Sequence, residues 1–192
     1  MPASLKAVLA ACLFAAAPVA AQVVNFNSDA TGNKANGFTS VDSPLLSFSS
    51  NVPGLLTLQA FFEAGNSKSL GVYASPGNFL RLSFANPISA LSLGFGGDYD
   101  EGASAFFRVY DDATLIFSSA ILVNGNGTLD QTYSYTGASA TSFEIEFSTP
   151  QNLIIDNVSF DEAVSTPEPA SAVLLGTGVL GLIGVARRRR KA

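Results

Sequence analysis

The chain has 192 residues, 47% of them hydrophobic, with no histidine, no tryptophan and a single cysteine. The missing histidine excludes His-based triads, imidazole acid–base chemistry and histidine metal sites. The formal net charge of −5 understates the acidity of the middle: residues 22–166 hold 14 Asp and Glu against Lys34, Lys68, Arg81 and Arg108, a net of −10 that repels nucleic acid and other polyanions.

Residues 1–21 read as a secretory signal. Lys6 supplies the positive end, Ala7 to Ala17 is apolar, and Val19-Ala20-Ala21 before Gln22 is a small-residue cleavage site. A rival reading is a lipoprotein signal, Leu9-Ala10-Ala11-Cys12, although the apolar segment before Cys12 is short for one. Cleavage after Ala21 removes Cys12, and with it disulfides, zinc thiolates and thiol catalysis.

Residues 22–164 have the length of one domain, and their apolar period is two. Leu80-Arg-Leu-Ser-Phe84, Leu91-Ser-Leu-Gly-Phe95 and Phe143-Glu-Ile-Glu-Phe147 alternate apolar and polar positions. Further strands are expected at 23–27, 45–49, 55–62, 70–74, 104–111, 114–123, 130–136 and 153–160. Ala64-Gly-Asn66, Ser75-Pro-Gly-Asn78, Asn86-Pro87, Gly96-Gly-Asp98, Asn124-Gly-Asn-Gly127, Thr136-Gly137 and Thr149-Pro150 are expected to turn the chain between them. Many short strands at intervals of about ten residues predict an all-β fold, an antiparallel sandwich or barrel. No stretch has a helical apolar stripe and no internal repeat is present.

Within this domain, period two puts Asp156 on the face of Val158 and Phe160, toward the core or its rim. A carboxylate there needs hydrogen-bond donors, a cation or a raised pKa. The plainer expectation is a bond to a neighbouring loop such as 25–32. The sharper one is a metal site in which Asp156 and Asp29, with nearby carbonyl oxygens, hold a structural calcium ion. No other cofactor is expected. Gly96-Gly-Asp-Tyr-Asp-Glu-Gly102 reads as a solvated hairpin loop, with a surface cation site or a sugar contact through Tyr99 as alternatives. It lacks the bidentate glutamate of an EF-hand, since Val109 stands at the twelfth position. Glu144 and Glu146 share one strand face about 7 Å apart and read as a solvated face, with paired-carboxylate glycoside hydrolysis as the alternative. Phe61-Phe62 and Phe106-Phe107 put an aromatic on each face of their strands. Tyr73, Tyr99, Tyr110, Tyr133 and Tyr135 are the rings left for stacking on a sugar.

The tail has three parts: Ser165-Thr-Pro-Glu-Pro-Ala170, an uncharged apolar run 170–186, and Arg187, Arg188, Arg189, Arg190 and Lys191. Seventeen helical residues span about 26 Å at ~1.5 Å each, which just crosses a hydrocarbon core once the arginine stems reach outward. The cations hold that end on the cytoplasmic side, with everything before Pro167 outside. Two prolines keep Pro167-Glu168-Pro169 extended. Gly176-Thr-Gly178-Val-Leu-Gly181 spells a dinucleotide-binding pattern but lacks its strand, amphipathic helix and acidic residue.

The order Pro-Glu-Pro, short apolar helix, arginine cluster resembles a PEP-CTERM sorting signal over Pro167 to Lys191. The resemblance implies an exosortase-type membrane protease as partner, export, transient anchoring in the inner membrane and cleavage near Pro167, Glu168 and Pro169. It further implies delivery to the cell surface or extracellular matrix. The bland alternative is an ordinary C-terminal anchor. A second resemblance rests on the opening Val24-Asn-Phe26 and the closing Leu153-Ile-Ile-Asp-Asn-Val-Ser-Phe160, which is similar to jelly-roll domains of the carbohydrate-binding-module type. Many such domains hold a structural calcium near their terminal strands. Three expectations follow: a non-catalytic structural surface or matrix protein, a carbohydrate-binding module recognising exopolysaccharide, and, last, a glycoside hydrolase.

Overall fold

The computed structural model describes residues 21–61, 64–65, 67–97, 103–124, 126, 128–148 and 151–162. The expected signal up to Ala20, the acidic loop residues 98–102 with Tyr99, Phe62, and the whole tail with its span 170–186 lie outside the described residues. The described residues form eleven antiparallel strands: β1 (Gln22–Val24), β2 (Gly32–Lys34), β3 (Phe38–Ser40), β4 (Ser43–Ser50), β5 (Leu56–Ala60), β6 (Lys68–Ala74), β7 (Phe79–Gly97), β8 (Ala103–Asp111), β9 (Thr114–Val123), β10 (Gln131–Phe147) and β11 (Gln151–Glu162).

The two longest strands organise the rest. The first part of β7, up to Phe84, pairs with β4 on one side and with residues 142–146 of β10 on the other. Its second part, from Ile88, pairs with β11 and with residues 131–140 of β10. The pairings therefore form two layers. The first runs β3-β4-β7-β10-β8-β9, and the second runs β2-β5-β6-β11-β7-β10 with β1 on β11. β7 and β10 pass together from one layer to the other.

This passage corrects two expected turns. Asn86-Pro87 and Thr136-Gly137 do not end strands; both lie where the register of β7 against β10 shifts. Residues 85–87 are exposed, so the missing N–H of Pro87 costs the ladder nothing. The shift also moves the inward parity. Leu80, Leu82 and Phe84 are buried before it, and Leu91, Leu93 and Phe95 after it. A second correction concerns residues 28–44, which contain β2 and β3. Three-residue strands are too short to show a period.

Rings from the two layers meet in the core. Phe107 of β8 stacks on Tyr133 of β10 at 3.8 Å and 4°. Phe95 of β7 meets the same Phe107 at 5.8 Å, and Phe84 meets Phe160 of β11 at 5.2 Å. A fully buried phenylalanine contributes about 1.5–3 kcal/mol from lost water contact, and Phe26, Phe48, Phe107, Phe143, Phe147 and Phe160 are all fully buried. The antiparallel β-sandwich expected from period two is the fold that forms. Phe61 lies over Gly71, where any side chain would collide with its ring; the glycine makes room for an aromatic that closes one end of the sandwich.

Candidate binding face and polar cluster

Glu144 stands between the buried Phe143 and Ile145, so the pleat points it out of the first layer. It is nevertheless only 4% exposed. The register explains how. Glu144 lies opposite Arg81 of β7 on one side and opposite Arg108 of β8 on the other. Arg81 Nε donates to its Oε1 at 2.8 Å, and the Nη2 group also donates to it. One row along the same strand, Glu146 lies opposite Phe79 and Phe106 and pairs with Arg108. The Arg81 guanidinium lies over the rings of Phe79 and Tyr110, 5.4 and 5.9 Å from their centres, and that of Arg108 lies 5.9 Å from Phe106. Burial and the neighbouring Glu144 push the Tyr110 hydroxyl above the ordinary phenol range, while Arg108 pulls the other way.

These contacts correct the reading of Glu144 and Glu146 as a solvated face. The two glutamates are the centre of a flat platform in which guanidinium groups, carboxylates and rings alternate. The outward Phe106 is 37% exposed and its neighbour Phe107 is fully buried, as expected for an aromatic on each face. Of the candidate stacking tyrosines, Tyr135 is buried and Tyr133 is partly buried, its ring stacked on Phe107. Tyr110 joins the platform, and Tyr73, 60% exposed, stands apart on β6. Arg81 and Arg108 carried no sequence signal as a pair. They are 27 positions apart and meet only because both strands flank β10.

Asp29 and Asp156 belong to a different cluster, at the open end of the loop 25–29. Asp29 is 3% exposed; its carboxylate accepts from Ser40 Oγ at 2.5 Å and from the Val41 N–H at 3.0 Å. Asp156, 4% exposed, accepts from Ser67 Oγ, Ser69 Oγ and the Asn157 N–H. Its hydrogen-bonding partners are thus the turn before β6 and β6 itself, in place of the expected loop 25–32. Burial, above all, and the charge of Asp42 hold the Asp156 carboxyl above its usual range, against the pull of these donors. Between Ser67 and Ser69, Lys68 extends its ammonium to the carbonyl oxygens of Asn27 at 2.9 Å and Asp29 at 2.7 Å.

The loop is shaped by a residue the sequence reading passed over. Asp42 Oδ2 accepts from the N–H groups of both Asn25 and Phe26 at 3.0 Å. It holds Phe26 at φ 59, a conformation rare for a bulky residue. The buried Phe26 ring packs on Phe48 at 5.4 Å, which helps offset that strain. The two carboxylates expected to hold a cation each accept hydroxyl and N–H donors, and the carbonyls of Asn27 and Asp29 accept from the lysine ammonium.

The outer face of the second layer differs again. Ser134, Ser92 and Ser159 form one row across β10, β7 and β11, with Thr136, Ala90 and Asp161 in the next. They line a shallow groove of about 200 Å³.

No curated protein has a matching sequence. Among solved structures, the chain is similar to a family 6 carbohydrate-binding module of Clostridium stercorarium in complex with cellobiose, at 17% identity over 60% of this chain and 87% of that one, with a TM-score of 0.40. It is also similar to the module of Cellvibrio mixtus lichenase 5A in complex with cellotriose, at 13% identity over 77% and 99%, with a TM-score of 0.39. A third similar structure is an exo-β-agarase, at 10% identity over 79% of this chain and 26% of that one, with a TM-score of 0.47. The family model of the PEP-CTERM protein-sorting motif matches residues 165–191, which include Pro167, Glu168, Pro169 and the basic run Arg187–Lys191. The chain thus carries a PEP-CTERM protein-sorting motif behind an antiparallel β-sandwich domain.

Proposed function

We propose that this chain is an exported, non-catalytic surface protein, routed by its sorting motif and an exosortase-type protease, whose β domain holds extracellular polysaccharide on the outer face of its first layer. One observation carries the binding part of this reading. An outward glutamate, Glu144, is kept 4% exposed under Arg81, in a platform with Arg108, Glu146, Phe79, Phe106 and Tyr110. Paired guanidinium and carboxylate groups present fixed donors and acceptors to sugar hydroxyls. Rings beside them take the apolar face of a sugar. Phe79 and Phe106 flank Glu146 from opposite strands, about 10 Å apart by strand spacing.

Glycoside hydrolysis is the weaker reading of the same residues. It needs one carboxyl group free to donate a proton and another free to attack or activate water. Here Glu144 and Glu146 are each held by an arginine and project side by side from one strand.

Affinity electrophoresis of the exported chain in gels cast with neutral or acidic polysaccharide tests the binding. Arg81→Ala and Tyr110→Ala are expected to abolish the retardation, whereas Ser134→Ala, on the opposite face, leaves it intact. Retardation that survives both platform substitutions removes the platform from the mechanism. The sorting part has its own readout. Mass spectrometry of the surface-located chain is expected to show a C-terminus trimmed near Pro167–Pro169, and an intact tail ending in Ala192 would contradict processing.

In the loop 25–29 the Lys68 ammonium serves as a tethered cation in place of calcium. A chelator is therefore expected to leave the melting temperature unchanged.

A further inference from the structure

β9 ends the strand order of the first layer, hydrogen-bonded to β8 on one side. Among the described residues no strand pairs with its other edge. β2 and β3, two of the other strand-order ends, are three residues long, and β2 carries Lys34. Residues 131–140 of β10, which end the second layer, are exposed at Thr132, Ser134, Thr136 and 137–139, with no large apolar side chain among these positions. β9 is long and uncharged, and its one irregularity is a register shift against β8 between Leu115 and Phe117. Its ten residues, Thr114-Leu-Ile-Phe-Ser-Ser-Ala-Ile-Leu-Val123, include no charge and no proline. Leu115 is 49% exposed, Ile116 36%, Phe117 43% and Leu122 68%. Such an edge offers unpaired backbone donors and acceptors flanked by apolar side chains on both faces.

We infer that β9 pairs with β9 of a second copy, antiparallel, about a two-fold axis perpendicular to the sheet. Charge selects this occupant. With a net of −10 over residues 22–166, contact between two copies over most of the surface brings acid against acid, whereas the β9 edge brings none. Charge also selects the direction. Asp111 and Asp112 stand at the N-terminal end of β9; an antiparallel pair sends them to opposite ends, and a parallel pair sets them side by side. The far end of the edge is already sealed. Gln131 Nε2 donates to the Leu122 carbonyl at 3.0 Å, and Gln131 Oε1 accepts from the Asn124 N–H at 2.9 Å. The open stretch is therefore Thr114 to Ile121, with its midpoint at Phe117 and Ser118. Beyond the register shift at Ile116, from Phe117 to Ile121, successive side chains alternate between faces, so a two-fold pair sets residues of equal parity opposite each other there. Centring on Ser118 sets Phe117 beside Ser119 of the second copy, large against small. Dimerisation of this kind is isologous and closes, so it does not propagate into a fibre.

Full-length chain in mild detergent, in a Cys12→Ser background, tests the pairing. Light scattering is expected to give twice the chain mass, and Ala120→Lys or Ser118→Lys, both at exposed positions, to raise the dissociation constant at least tenfold. Mild oxidation is expected to join two copies through Ser118→Cys and to spare Thr39→Cys on β3. A wild-type monomer overturns the proposal. So does a dimer that tolerates both lysines, or one that cross-links as readily at Thr39→Cys. A monomer whose β9 amides resist hydrogen exchange would show the chain's own tail on the edge, and would overturn it too.

Discussion

The two outer faces of the sandwich share a pleat, a strand spacing and two of their strands, yet differ in what they can hold. The first layer presents Arg81, Glu144, Arg108 and Glu146 among Phe79, Phe106 and Tyr110. The second presents serines, a threonine and an alanine around Asp161. Short hydroxyl side chains lie close to the sheet and exchange one water for one ligand hydroxyl with little net gain. Guanidinium groups stacked on rings are preorganised, and they bury a carboxylate that would otherwise be solvated. β10 serves both layers, but only its C-terminal half carries glutamates that face an arginine or a ring on each flank.

The largest effect is expected in the core that both faces share. Phe107→Ala removes the ring that receives Tyr133, Phe95 and Phe143. It is expected to lower stability by about 3–5 kcal/mol, read by chemical denaturation. Next comes the platform itself. Glu144→Ala leaves Arg81 without its carboxylate; because the Arg81 side chain is 43% exposed, water recovers much of the loss. The expected cost is about 1 kcal/mol of stability, with complete loss of polysaccharide retardation. Ser92→Ala, its counterpart on the second face, is expected to change stability by no more than about 0.5 kcal/mol and retardation not at all. Equal effects from the two would erase the distinction between the faces.

Lys68→Met leaves the carbonyls of Asn27 and Asp29 without their ammonium. A loss of about 1–2 kcal/mol is expected, and calcium titration of the variant shows whether the gap then accepts a free ion. The smallest effect is one of pH. The folded pKa of Asp156 is raised, so between the unfolded value of about 3.9 and the folded one the native state binds more protons. The contribution of this group to stability is full below the unfolded value and falls as pH rises through the folded value. Asp156→Asn is expected to flatten that decline in melting temperature; an unaltered slope would assign it to another carboxylate.

Much of this was visible in the chain before it folded. Alternation in 80–84, 91–95 and 143–147 predicts strands because a half-buried pleat demands it, and those strands formed. The sorting motif is equally legible, since its Pro-Glu-Pro, apolar run and basic end act through order along the chain. Asp156 was expected near the core because parity with Val158 and Phe160 is local. Its partners Ser67 and Ser69 are 87 to 89 positions away and no local rule reaches them.

What the sequence determined alone was therefore everything that depends on neighbours: the period, the acidity, the absence of histidine, the tail. Tertiary structure decided which strands lie side by side. That choice carried β7 and β10 through two apparent turns, drew Lys68 across to the loop 25–29, and set Arg81 and Arg108 on either side of Glu144. Register is a property of pairs of strands, and the energy that selects it comes from rings meeting across the core, which no single segment contains.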